Sequence, residues 1–91
     1  MAKGTLSAPP AFVTKLVDAL RKKIPGADVT TEQIRGKRYR FVVIADQFDG
    51  IGHPERQERV WKLAERVVPR SDLLNVGMIL TIAPEELSSA E

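Results

Sequence analysis

The chain has 91 residues and a formal net charge of +2, with 43% apolar and 29% charged residues. Such proportions suit a single globular domain with one core and exclude a disordered tail. No run of about 18 apolar residues is present, so a transmembrane helix is not expected. With no cysteine, disulfides, thiol catalysis and thiolate-bound metal are excluded. The first ten residues hold no long apolar run, so a secretory signal is not expected either. A bacterial-type cytoplasmic protein is the simplest expectation.

In chain order, residues 1–8 are expected to be a flexible tail, residues 9–87 one domain and residues 88–91 a second tail. A first helix should begin near Pro9-Pro10, with Ser7 as its cap, and run to about Lys23. Phe12, Val13, Leu16, Val17, Leu20 and Ile24 recur at three- and four-residue steps and should share its buried face. Arg21, Lys22 and Lys23 lie at the negative pole of that helix, and Pro25-Gly26 stops it. A polar strand follows from Ala27 to Ile34. Arg35-Gly36-Lys37 reads as a hairpin turn. Arg38 to Ala45, rich in β-branched and aromatic residues, is the stronger strand.

Asp46 to Gly52 holds mostly turn residues, with room for a short helical turn at Phe48. Pro54 and Glu55 mark the start of a second helix, whose apolar stripe is Val60, Leu63, Ala64 and Val67 and which ends before Pro69. Trp61 and Val68 should widen the stripe, and Trp61 and Phe48 are expected in the core. The nearly continuous apolar run from Leu74 to Ala83 predicts a strand buried on both sides or central. Leu80 and Leu63 should therefore be shielded from water. Pro84 ends that strand, and Glu85-Glu86-Leu87 form a last turn. The order α-β-β-α-(α)-β implies an α+β fold, a three-stranded mixed sheet with helices packed on one face. Its last two strands can pair in parallel through a crossover.

Several stretches resemble the BolA-like family, small proteins with a class II KH-type α-β-β-α-α-β fold. They are PGADV after the first helix, FDG at Phe48-Asp49-Gly50, ERQERVW at Glu55 to Trp61, and TIAPEEL at Thr81 to Leu87. The match covers most of residues 12–87 and rests on order and spacing rather than on any single motif. The resemblance implies nucleic-acid-linked regulation or docking to a glutaredoxin-type partner. Departures accompany it. Gln57 and Glu58 stand where the family has histidine and arginine, and Asn75 takes the place of the histidine associated with iron–sulfur ligation. Thr31 to Arg40 contains neither histidine nor cysteine. An amide does not replace imidazole or thiolate on iron, so the scaffold is expected without the cluster and no cofactor is expected.

His53, the sole histidine, could act as a metal ligand or general base with Asp46, Asp49 and Glu55 nearby. A lone histidine without a spaced partner is a weak metal signature, so an N-terminal helix role, bonding to free backbone N–H groups, is preferred. No nucleophile–base pair can be assembled around one histidine, and an enzyme is not expected. Gly50-Ile51-Gly52 could cradle phosphate, but a tight turn with positive φ at two positions is the simpler reading. The nucleic-acid surface expected from these residues combines Arg35, Lys37, Arg38 and Arg40 with Gly50, Gly52, His53 and Arg56. The alternative is a protein–protein surface around Trp61, Val68 and Leu87. No membrane contact is expected, and a monomer is favoured.

Overall fold

The computed structural model describes residues 9–89 and, of residues 88–89, the backbone only. The elements are α1 (Ala11–Lys23), β1 (Asp28–Arg35), β2 (Arg38–Ile44), a 3-10 turn (Asp46–Phe48), α2 (His53–Val67), α3 (Arg70–Leu73), β3 (Val76–Ile82) and α4 (Pro84–Ser89). No helix among the described residues is long and apolar enough to cross a membrane. Ser7, expected to cap α1, lies outside the described residues, as do residues 1–8 and 90–91 generally. The cap is Pro10, which has no side-chain donor or acceptor; its carbonyl accepts the Val13 N–H at 3.0 Å.

The sheet has the order β1-β2-β3. β1 and β2 form an antiparallel hairpin with Val29 opposite Val43 and Thr31 opposite Phe41. β2 and β3 run parallel, with Phe41 beside Ile79 and Val43 beside Thr81. Side chains alternate across a strand, so Val29, Phe41, Val43, Ile79 and Thr81 all face one layer, and all are buried. Phe12, Val13, Leu16 and Leu20 from α1 and Val60 and Ala64 from α2 close the core over them. The Phe12 ring meets Tyr39 edge to face, with centroids 6.1 Å apart. Each large side chain shielded here contributes about 2 kcal/mol relative to exposure. The α+β architecture with one helical layer is the one expected.

Two expectations about β3 fail together. The strand is an edge, not the centre; β2 is central. Leu80 is also not shielded, being 37% exposed, while Leu63 is half-buried. The apolar run misleads because β3 carries apolar residues on both of its faces although only one is covered. The strand also starts two residues later than expected. Leu74 and Asn75 close the turn of α3 instead, with the Asn75 N–H bonded to Asp72 O at 2.8 Å. At the hairpin end a bulge separates Tyr39 beside Val76 from Arg40 beside Met78, leaving Gly77 as the extra residue. A Cβ at Gly77 would lie 3.1 Å from Arg38 Cγ and 3.2 Å from Ile34 Cδ1, which explains a glycine at this close approach.

Candidate functional site

Three of the four motifs that carry the family resemblance converge on Arg56. The close of the first turn of α2 points this side chain inward, where it is only 4% exposed. Its Nε donates to Ile51 O at 2.7 Å and its Nη1 to Thr81 O at 3.1 Å. The two terminal nitrogens grip Glu86 Oε1 and Oε2 at 2.8 and 2.9 Å, the bidentate geometry to which a guanidinium is suited. The guanidinium carbon also stands 5.5 Å from the centre of the Phe48 ring. Glu86 Oε1 further accepts the Ala83 N–H at 2.9 Å, the backward contact of a capping box at the start of α4. The paired guanidinium, helped by the Ala83 N–H, holds the Glu86 carboxyl down to about 2, and the same hydrogen bond pushes Arg56 above its usual range. FDG, ERQ and TIAPEEL thus tie α2, α4 and the end of β3 together.

This placement corrects the expected role of Arg56. Four of its five donors are spent on protein oxygens and the side chain is only 4% exposed, so a phosphate cannot be gripped without breaking the cluster. Gln57, one residue on, works beside it. Its Nε2 donates to Ile79 O at 2.8 Å and Thr81 Oγ1 at 3.3 Å, while its Oε1 accepts the Trp61 indole N–H at 3.1 Å. The Ala45 N–H binds Ile82 O, so by alternation the carbonyls of Ile79 and Thr81 point away from β2. Arg56 and Gln57 therefore cap the free edge of β3. Trp61 is half-buried rather than a full core residue, whereas Phe48 is buried as expected.

The other expected nucleic-acid residues are divided between two ends of the sheet. Arg35, Lys37 and Arg38 are exposed around the hairpin turn. Arg40 is half-buried and ion-paired with Glu32 across the hairpin. Gly50 and Gly52 lie in the connection leaving the far end of β2, and His53 opens α2 directly after it, about 20 Å away along a seven-residue strand. One continuous surface of hairpin and glycine loop does not form. Within the loop only Gly50 has a positive φ, +80°. Gly52 is the extended N-cap of α2 with φ −67°, so the two-position expectation holds at one of its two glycines. His53 is exposed, and no side chain caps α2 by a hydrogen bond, so the expected bonding of His53 to backbone N–H groups is absent.

The family's cluster positions map to the hairpin end, where the Tyr39 N–H binds Asn75 O at 2.8 Å. The side chains there are the amides of Asn75 and Gln33, the Thr31 hydroxyl, Glu32 paired with Arg40, and the cations Arg35, Lys37 and Arg38, while the single imidazole, His53, sits at the opposite end. Iron needs nitrogen or sulfur lone pairs and is not served by guanidinium or ammonium groups, so these residues do not fit an iron–sulfur cluster. Among the described residues, no group of three or more His, Cys, Asp or Glu could hold a metal ion.

What sequence reasoning missed is the outer face of the sheet. Register places Met78 beside Arg40, Leu80 beside Val42 and Ile82 beside Ile44, all on the face turned away from α1 and α2. Ile34, Met78 and Leu80 are 50%, 43% and 37% exposed; Val42, Ile44 and Ile82 are half-buried. The hint in the sequence was the loss of alternation in FVVI and MILTI, apolar where a solvated face would be polar. The expected patch around Trp61, Val68 and Leu87 is corrected: Val68 is buried at 3% exposure, and only Leu87 of the three is exposed.

No family model and no curated protein matches the chain. Solved structures do. BolA1 from Arabidopsis thaliana is similar with a TM-score of 0.63 at 12% identity, covering 85% of this chain and 96% of its own. The BolA domain of SufE1 from Arabidopsis thaliana gives 0.63 at 18% identity, covering 87% and 99%. A Bol-like protein from Babesia bovis gives 0.54 at 16% identity, covering 97% and 98%. The chain has the BolA fold, as the sequence resemblance implied.

Proposed function

We propose that the chain is a non-enzymatic interaction module of the BolA type that recognises a protein partner through the outer face of its sheet. The observation that carries this is the set Ile34, Met78 and Leu80, three large apolar side chains exposed on one sheet face. With Val42, Ile44 and Ile82 beside them in register, Met78 and Leu80 give β2 and β3 an apolar outer face, bordered on the β1 side by the Arg40–Glu32 pair, and such a patch marks an interaction site. The glutaredoxin-type partner implied by the family resemblance is one candidate occupant. The BolA domain of SufE1, named as one domain of a protein, supports a role for this fold beside other protein units.

Nucleic-acid binding is the second reading, and one observation favours it: Arg35, Lys37 and Arg38 stand exposed and close together at the hairpin tip. Three cations alone supply phosphate neutralisation but no base reading. The glycine loop adds little, since the cation that follows it, Arg56, faces inward.

The experiment is site-specific photo-crosslinking in cells from position 80, with position 37 and the exposed Glu65 as comparisons. Protein adducts concentrated at position 80, and lost when Met78 is replaced by lysine, are expected. Adducts no stronger at 80 than at 65 would remove the sheet-face interface. Nucleic-acid adducts concentrated at 37 would favour the hairpin instead.

A further inference from the structure

On the helical side of the molecule, where the end of α1 meets the middle of α2, lies a groove of about 420 Å³. Its floor is Ile24, Phe48, Val60 and Leu63. The Gln47 side chain donates to Pro25 O at 2.7 Å, which pins the loop carrying Phe48 against the end of α1 and sets one wall. The rim is wholly basic: Lys23, Arg59, Lys62 and Arg66. Arg59 and Lys62 are held by Glu55 and Glu58 one turn back, at 2.6 and 3.3 Å. Both pairs are exposed, and such pairs are worth little and exchange readily. Lys23 and Arg66 have no ion-pair partner among the described residues.

We propose that this groove is a second docking site, for an acidic amphipathic helix of a partner protein. Two features choose that occupant. The apolar floor between two helices is the shape into which a third helix lays its own apolar stripe. Arg59, Lys62 and Arg66 are spaced over seven residues of α2, about 10 Å. A single anionic head group meets one or two of them, whereas carboxylates one turn apart on a helix meet all three and Lys23. No acid lines the groove, Glu55 and Glu58 beside it are already paired, and Glu65 is the one further acid of α2 near the rim, so the lining itself favours an acidic partner. This site is distinct from the outer face of the sheet and does not depend on it.

The test uses a fluorescein-labelled synthetic peptide of about 18 residues, long enough to hold a helix, with leucines on one face and glutamates flanking them. Three comparisons accompany it: a scramble of the same composition, a version with lysine for glutamate, and decanoate as a small amphipathic anion. Fluorescence anisotropy against the whole chain should show binding by the acidic amphipathic peptide alone. The double variant Lys23→Glu/Arg66→Glu should weaken it about tenfold, with an unchanged amide NMR spectrum away from the groove. Leu80→Lys, on the sheet face, should leave it unchanged. No binding, equal binding by the scramble or lysine peptide, insensitivity to the double variant, or saturable binding of decanoate but not of the peptide would each overturn the proposal.

Discussion

Arg56 and Glu86, thirty residues apart, meet through two parallel contacts of 2.8 and 2.9 Å, and the same guanidinium holds the carbonyls of Ile51 and Thr81. Residues that look like a helix start and a C-terminal turn in the sequence are thus one cluster in space. The cluster joins α2, α4 and the edge of β3, so its chemistry is structural. It also removes from the surface the cation that phosphate binding at the glycine loop would need.

Replacing Arg56 by methionine keeps most of the side chain's volume but leaves the Thr81 and Ile51 carbonyls without this donor. A loss of about 2 kcal/mol is expected, lowering the unfolding temperature by about 10 °C for a domain of this size. Lysine should not restore it, because an ammonium cannot span both carboxylate oxygens and the two carbonyls. Thermal unfolding followed by circular dichroism reads both variants.

The Glu86 carboxyl, at about 2 against an ordinary 4.5, is lower in the folded than in the unfolded chain. Its contribution to stability is therefore complete above about 4.5 and is lost as pH falls through about 2. The stability difference between the native chain and Glu86→Gln should be constant from pH 7 to about 5, shrink below that, and vanish near pH 2. Denaturant unfolding across that range gives the comparison. A difference independent of pH would show that the pair is not what Glu86 contributes.

Gln57→Ala should cost about 1 kcal/mol through its lost bonds to Ile79 and Thr81, and it frees the Trp61 indole N–H. Tryptophan fluorescence should therefore change along with stability. A stability loss with unaltered emission would separate Trp61 from the edge cap.

Most of the architecture was legible before the structure. The α1 stripe, the hairpin around Gly36 and the α2 stripe follow from periodicity and turn chemistry, and each forms where expected. Two things were not legible, for different reasons. The run from Leu74 to Ala83 is apolar on both faces, and composition does not say whether an apolar face is covered by the same chain or left for another; Leu80 looks like core and is surface. Arg56 reads as a phosphate-contacting surface cation because its partner Glu86 is thirty residues along the chain, and nothing local in either segment signals the contact. The hairpin and glycine loop were expected on one surface, but β2 runs between them and sets them at opposite ends.

Neighbouring residues of β3 face opposite ways, so the one-sided layer makes a paired prediction. Ile79→Ala should cost about 3 kcal/mol, since Ile79 is 1% exposed. Leu80→Ala should cost clearly less, about 1 kcal/mol, because Leu80 is already 37% exposed. Urea unfolding of the two variants side by side reads the contrast.

The most direct test of the account is the exposure of methyl groups to a soluble paramagnetic gadolinium chelate in NMR. An outer sheet face free for a partner predicts strong broadening of the Ile34, Met78 and Leu80 methyls while those of Leu16, Val43 and Ile79 stay sharp. Protection of Ile34, Met78 and Leu80 equal to that of Ile79 would mean that the chain covers this face itself, and the proposed interface would be wrong.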